Sequence, residues 1–172
     1  ACVFDAYGTL FDVNSAAAKC KKKLGSRWEG FANTWRTTQL EYTWLRSLMK
    51  KHKNFWEITE DSLDHTMETF KIKKEMRNEL LDLYKKLNTY PEVKKCMEGL
   101  KEKKIKIAIL SNGTPDLLTM LVKSNNIENY FDDIMSIESV GIYKPDSKVY
   151  EMPIKKYNCK PENICFMSSN TW

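Results

Sequence analysis

Histidine is scarce in this chain: His52 and His65 are its two, each set among lysines or aspartates in helical context. A histidine-based triad or an imidazole metal cluster is not expected from so few, and both read as surface residues. The five cysteines, Cys2, Cys20, Cys96, Cys159 and Cys165, are odd in number and never spaced Cys-x-x-Cys. Neither a disulfide framework nor a zinc site follows from them. Cys2 and Cys165 lie in apolar runs and read as buried structural thiols. No apolar run is long enough to span a bilayer, and no basic-then-apolar leader with a small-residue cleavage site opens the sequence. The expectation is a cytoplasmic protein with no membrane partner. Concentrated charge of one sign is missing too. The net charge of +5 comes from dispersed lysines such as Lys21, Lys22, Lys23, Lys50, Lys51, Lys53, Lys101, Lys103 and Lys104. Such runs suit solvated helix faces. No nucleic-acid motif accompanies them, so no nucleic-acid partner is expected. A mildly positive surface does suit the steering of small anions.

What is present is a chain of 172 residues, 42% hydrophobic and 30% charged, enough for one domain or for a core with a smaller cap. Three short apolar runs read as buried parallel strands: Ala1-Cys2-Val3-Phe4, residues 105–110, and Ile164-Cys165-Phe166-Met167. A weaker fourth lies near Ile134-Met135. Amphipathic segments at 115–123 and 146–157 separate them, which indicates an α/β fold with a Rossmann-like parallel sheet and helices on its faces. Residues 13–88 break the alternation. They read as helices over 14–24, 29–51, 60–70 and 73–87, with Phe31, Trp35, Leu45, Leu48 and Met49 at helical spacing and the aromatics read for the most part as core packing. The block is too long for a simple crossover and is expected to be a helical cap inserted after the first strand. Residues 1–12 and 89–172 then form a discontinuous core. Pro153 falls inside the 146–157 helix, where an interior proline should kink it at a cost of about 3 kcal/mol.

The strand endings carry the chemistry. The first strand ends in Asp5, the second in Ser111-Asn112, the third in Ser168-Ser169-Asn170. Any one of these could be ordinary turn chemistry. Together they deliver a carboxylate and two hydroxyl–amide pairs to the carboxyl rim of a parallel sheet, where ligands bind. Thr114 can cap the following helix, Pro115 suits its first position and Asp116 its positive end. Ser111 and Asn112 thus precede a helix N-terminus, a place suited to an anion.

Read together, four segments resemble the ordered motifs of the haloacid dehalogenase superfamily. Phe4-Asp5-Ala6-Tyr7-Gly8-Thr9-Leu10-Phe11-Asp12 is similar to its first motif and Ser111-Asn112-Gly113 to its second. Tyr143-Lys144-Pro145-Asp146 is similar to its third, and the segment from Phe166 to Trp172 to the start of its fourth. The segment from Trp35 to Arg46 resembles the cap of L-2-haloacid dehalogenases in particular. Most superfamily members are phosphatases with a second Asp two residues after the nucleophile and a requirement for magnesium. Here that position is Tyr7. A departing halide needs no proton, so the resemblance implies carbon–halogen chemistry with no metal and no cofactor, on a small 2-haloacid.

The resemblance implies the following roles. Asp5 attacks C2 of the substrate and forms an ester that water then hydrolyses. Lys144 favours the ionised form of Asp5 by opposite charge, with Tyr150 supporting the lysine. Arg36, helped by Asn112, meets the departing halide. Ser111 and the amides of Ala6 and Tyr7 hold the substrate carboxylate. Thr9 hydrogen-bonds near Asp5, and Ser168 and Asn170 orient the nucleophile, the lysine and the water. Tyr7, Leu40, Phe55 and Trp172 form an apolar wall that excludes water. Family members are often homodimers. Thr37 departs from the family's usual Gln, which bears on how the cap meets the substrate. The family also follows the position of Trp172 with an Asp that helps activate water. The expectation is a core incomplete at the C-terminus, with displacement surviving in part and ester hydrolysis crippled, unless the chain is part of a longer one. Two rival readings stand beside the dehalogenase: a magnesium-dependent superfamily phosphatase, and a catalytically impaired fragment or non-catalytic relative.

Overall fold

The computed structural model describes residues 1–170. The chain divides into two compact units, one of Ala1–Asp12 with Asn88–Trp172, the other of Val13–Leu87. The first unit is built on a parallel sheet of four strands: β1 (Cys2–Phe4), β2 (Ile107–Ser111), β3 (Asp133–Ser136) and β4 (Cys165–Met167), in the order β3-β2-β1-β4. Every residue of β2 is buried, as a continuous apolar run in the middle of a parallel sheet must be. It begins two residues later than the apolar run suggested, because the Ile105 N–H turns back to the Leu100 carbonyl. The weak fourth strand signal proves to be β3, paired with β2 from Ala108↔Asp133 to Ser111↔Ser136. Side chains alternate faces along a strand, so Cys165 and Met167 share one face of β4 and Phe166 takes the other. Cys2 is half-buried and Cys165 exposed, which corrects the expectation of two buried thiols: β4 lies at the sheet edge among the described residues.

Helices flank this sheet. One of them, over Val93–Glu102, was not expected from the sequence. Val93 and Met97, one turn apart, are its buried residues, an i,i+4 stripe that the reading of the sequence passed over. The helix over Pro115–Ser124 starts as expected, with the Thr114 hydroxyl accepting from the Leu117 N–H at 3.4 Å. The helix over Ser147–Tyr157 is capped by the Asp146 carboxylate, which accepts from the Lys148 N–H at 2.9 Å. It runs unbroken through a buried Pro153 to a left-handed Asn158. The proline removes one ladder donor, yet the helix does not end there.

In chain order the helices of the second unit are α1 (Ser15–Lys19), α2 (Lys21–Leu24), α3 (Trp28–Leu48), α4 (Phe55–Thr69) and α5 (Met76–Tyr84); the three of the first unit follow as α6, α7 and α8. α4 starts five residues earlier than the apolar pattern suggested. A capping box sets its start: Asn54 Oδ1 accepts from the Glu57 N–H at 3.0 Å and Glu57 Oε2 from the Asn54 N–H at 3.1 Å. Phe31, Trp35, Phe70 and Tyr84 form an aromatic core with ring centroids 5.2–6.2 Å apart. Leu45, Leu48 and Met49, at the same helical spacing as Phe31 and Trp35, face outward, with Leu48 79% exposed. The buried side of α3 continues through Gln39 and Thr43. Gln39 bonds across to Thr59 and Tyr84, and the Thr43 hydroxyl turns back to the Leu40 carbonyl.

Candidate active site

β1 ends at Phe4 and hands the chain to Asp5, which is 4% exposed. The Asp5 N–H donates to the Met167 carbonyl at 2.9 Å, so the backbone ladder to β4 continues one residue past the strand. The chain then turns sharply. The N–H groups of Thr9, Leu10 and Phe11 all donate to the Ala6 carbonyl, and Gly8 adopts φ 88°, a conformation that side chains disfavour. Asp5 is thereby aimed at the carboxyl rim of the sheet while the following loop folds away.

Four donors converge on its carboxylate. Oδ1 accepts from Lys144 Nζ at 2.6 Å and from the Ala6 N–H at 2.8 Å. Oδ2 accepts from the Ser168 hydroxyl and from Asn170 Nδ2, each at 3.2 Å. Lys144 is itself 7% exposed. Its ammonium also donates to the Leu110 carbonyl at 3.1 Å and lies 5.5 Å from the centroid of the Phe166 ring. A buried ion pair survives desolvation only when its remaining donors and acceptors are met, and here the carboxylate has three further donors and the ammonium a carbonyl and an aromatic face. The loop carrying Ser168 braces itself, since Ser168 Oγ also accepts from the Asn170 N–H at 3.2 Å.

The second strand end stands beside this pair. Ser111 is wholly buried, and its hydroxyl accepts from the Gly113 N–H at 3.1 Å. Asn112 Oδ1 accepts from the Lys144 N–H at 3.2 Å, tying the second strand end to the loop that carries the lysine. The Gly113 carbonyl accepts from the Ser136 hydroxyl at 2.6 Å. Tyr7 is buried against this loop so closely that a Cβ on Gly113 would meet Tyr7 Cε2 at 2.7 Å.

Lys144, Ser168 and Asn170 therefore meet on the Asp5 carboxylate, with Ser111 and Asn112 in the adjoining loop. The Ala6 N–H, expected to hold substrate, donates to Asp5 Oδ1 in this structure, because the turn after β1 points it back at the side chain. The Thr9 hydroxyl accepts from the Ser169 N–H at 3.0 Å and so braces the loop whose Ser168 bonds Asp5. Tyr150 and Phe166 pack edge-to-face with centroids 5.4 Å apart, and the Lys144 ammonium lies 5.5 Å from the same Phe166 ring. Burial pushes the Tyr150 phenol up, and the charge of Asp5 adds to the effect. In the helical unit, Arg36 Nη1 donates to Gln39 Oε1 at 3.0 Å, Leu40 is half-buried and Phe55 is buried at the first position of α4. Trp172 lies outside the described residues. Among the described residues, no three His, Cys, Asp or Glu side chains gather in a way that could hold a metal ion.

Sequence reasoning missed Phe166 and Ser136. Strand alternation would have turned Phe166 away from Cys165 and Met167. The strand-end argument, extended to the weak fourth strand, would have picked out Ser136.

Comparison with known proteins follows the same lines. The profile of the family described as haloacid dehalogenase-like hydrolase matches residues 1–172. The chain is 39% identical over 174 residues to (S)-2-haloacid dehalogenase 1 of Pseudomonas sp. strain CBS-3, covering all of this chain and 77% of that protein. It is 37% identical over 174 residues to (S)-2-haloacid dehalogenase 4A of Burkholderia cepacia, covering all of this chain and 75% of the relative. Among solved structures, the L-2-haloacid dehalogenase from Xanthobacter autotrophicus with chloropropionic acid covalently bound superposes with a TM-score of 0.89 at 35% identity, over 98% of this chain and 69% of that one. With a likeness that runs the length of the sequence and most of the length of these relatives, the chain belongs to the haloacid dehalogenase-like hydrolases.

Proposed function

We propose that the protein hydrolyses L-2-haloalkanoic acids to D-2-hydroxy acids through an ester on Asp5. The observation that carries this reading is the buried Asp5–Lys144 pair, with a buried Tyr7 packed against Gly113, rather than a second carboxylate, two residues after the nucleophile. An ionised carboxylate held by a cation and neutral donors is equipped to displace a group that leaves as an anion and needs no acid. Both oxygens carry two donors, but Oδ1 holds the cation and the shorter bonds, at 2.6 and 2.8 Å, while Oδ2 has neutral donors at 3.2 Å and is assigned as the attacking oxygen. It bonds to C2 as the carbon–halogen bond breaks, inverting the carbon and releasing halide. Oδ1 then becomes the ester carbonyl oxygen. Water adds to the Asp5 carboxyl carbon, and the negative charge that develops on Oδ1 falls between Lys144 and the Ala6 N–H, donors already in place. Collapse frees the hydroxy acid, returns the Asp5 carboxylate and gives one proton to solvent.

The remaining roles belong to the same proposal. Ser111 donates its hydroxyl proton to the substrate carboxylate, together with the Tyr7 amide. Asn112, whose Oδ1 is taken by the Lys144 N–H, offers Nδ2 to the halide, and Arg36 is assigned to the same anion on the resemblance of its segment. Ser168 and Asn170 orient Asp5 and the water, Thr9 steadies their loop, and Tyr150 backs Lys144 through Phe166. Tyr7, Leu40, Phe55 and Trp172 supply the apolar wall. The helical unit acts as the cap, and the protein works as a homodimer in the cytoplasm on a free small molecule. No helix among the described residues is long and apolar enough to cross a membrane.

Halide release from L-2-chloropropionate, with the D enantiomer beside it, tests the reading. The expected result is release with the L form alone, D-lactate as product, and a fall of at least about a thousandfold in Asp5→Asn, which loses the nucleophile. Release from the D form by the same route, or magnesium-dependent phosphate release from a phosphate monoester without halide release, would overturn it.

A further inference from the structure

We infer that Gln39 is a positioning residue for Arg36, and that Thr59 and Tyr84 fix which way its amide points. This rests on the reading of Arg36 as the group that meets the halide. The evidence lies wholly inside the helical unit, where α3, α4 and α5 each place a polar group in the interior: Gln39 is 1% exposed, Thr59 0% and Tyr84 3%. Buried polar clusters stay costly unless every member is met, and when met they hold one arrangement.

The bond directions leave the Gln39 amide one orientation. The Thr59 hydroxyl gives its proton to the Phe55 carbonyl at 2.7 Å. Its oxygen then serves as acceptor for Gln39 Nε2, 2.7 Å away, with the Tyr84 hydroxyl as its further side-chain partner. The other end of the amide, Oε1, is therefore turned to Arg36 Nη1 at 3.0 Å. Tyr84 closes the cluster, its hydroxyl 3.0 Å from Nε2 and 3.2 Å from Oε1. Burial pushes this phenol up to about 12, so it stays neutral over the working range. Trp35 pins the group from the side: Nε1 donates to the Thr59 carbonyl at 3.1 Å, and its ring lies 5.2 Å from that of Tyr84. A neutral amide oxygen orients a guanidinium without cancelling its charge. A carboxylate in that place would pair with it, and less positive charge would remain for an anion.

Thr59→Val keeps the shape of the side chain but removes the acceptor, so the amide is free to flip, while Thr59→Ser keeps the acceptor. Gln39→Leu removes the amide altogether. Two measurements on each variant and the parent decide the matter: kcat for L-2-chloropropionate against L-2-bromopropionate, and the 15N signals of the Arg36 guanidinium. Chloride is the poorer leaving group and depends more on a donor to the anion. Thr59→Val and Gln39→Leu should therefore lower kcat on the chloro substrate by about tenfold, the size of one oriented charge-assisted hydrogen bond, and on the bromo substrate by less, so that the chloride-to-bromide ratio falls with KM little changed. Their Arg36 signals should show increased motion, and Thr59→Ser should match the parent in both respects. An equal loss on both halides, tracking a lowered Tm, would overturn the inference. A parent protein that releases no halide would sink the dehalogenase reading instead. In that case an Arg36 signal unchanged in Thr59→Val would separately overturn the positioning role, and a mobilised one would uphold it.

Discussion

At Gly113 a single hydrogen atom decides how two motifs meet. Tyr7 from the first strand end fills the space over it, and a methyl group there would come within 2.7 Å of Cε2 and 2.9 Å of the phenol oxygen. Tyr7 is only 2% exposed and cannot simply swing away. Gly113→Ala should therefore cost about 1–3 kcal/mol, the usual range for overpacking. It should also lower halide release by displacing Tyr7 and the Ser111 loop. Urea unfolding beside an activity assay checks both, and an unchanged midpoint would show that the loop yields without strain. The identity of such residues was legible in the sequence, because Asp5, Ser111, Lys144 and Ser168 sit in motifs. Their bonding was not. That the Ala6 amide serves Asp5, and that Thr9 serves Ser169, depends on where a turn points a proton, and a one-dimensional pattern does not carry that information.

The elements of the sheet unit are tied by a carboxylate away from the active site. Asp132, at the head of β3, accepts from the Ile107 N–H at 2.9 Å and from Lys101 and Lys106 at 3.1 and 3.0 Å, joining α6, β2 and β3. The Ile107 N–H first, and the two lysines after it, hold its carboxyl down to about 2 from an ordinary 3.8, against the opposing effect of burial. A carboxyl depressed in the folded state contributes stability at pH values above 3.8. That contribution fades as pH falls from there through about 2. Asp132→Asn should be less stable than the parent at neutral pH, by on the order of 1 kcal/mol after solvent screening. The deficit should shrink over that acid window when urea midpoints are compared. A deficit that stays constant with pH would assign the effect to hydrogen bonding alone. Element by element, the sequence was readable where periodicity was strong, as in β2 and α7. It was misread where a cap outweighed the apolar pattern, as at Asn54, and α6 was passed over although Val93 and Met97 stand one turn apart on its buried face.

For the molecule as a whole, the net charge of +5 spread over many lysines gives a weak positive field with no single basic face in the sequence. Such a field draws a small carboxylate toward the protein and is screened by salt. The expected outcome is a kcat/KM for L-2-chloropropionate that falls by about two- to threefold from low to physiological ionic strength, while kcat holds. A flat profile measured by halide release would mean that encounter is not steered.

The sequence by itself determined the fold class, the succession of strand-end motifs and the chemistry they resemble, because hydrophobic period and residue type are local properties. It also marked 13–88 as helical, although not that Leu45, Leu48 and Met49 turn outward. Only the tertiary structure decided which donors reach which oxygen of Asp5. It also brought Lys144 and Tyr150 to the same Phe166 ring and Gln39 Oε1 to Arg36. Those outcomes depend on groups from distant parts of the chain sharing a few ångströms of dry space, where each proton has one acceptor and its direction is set by all its neighbours at once.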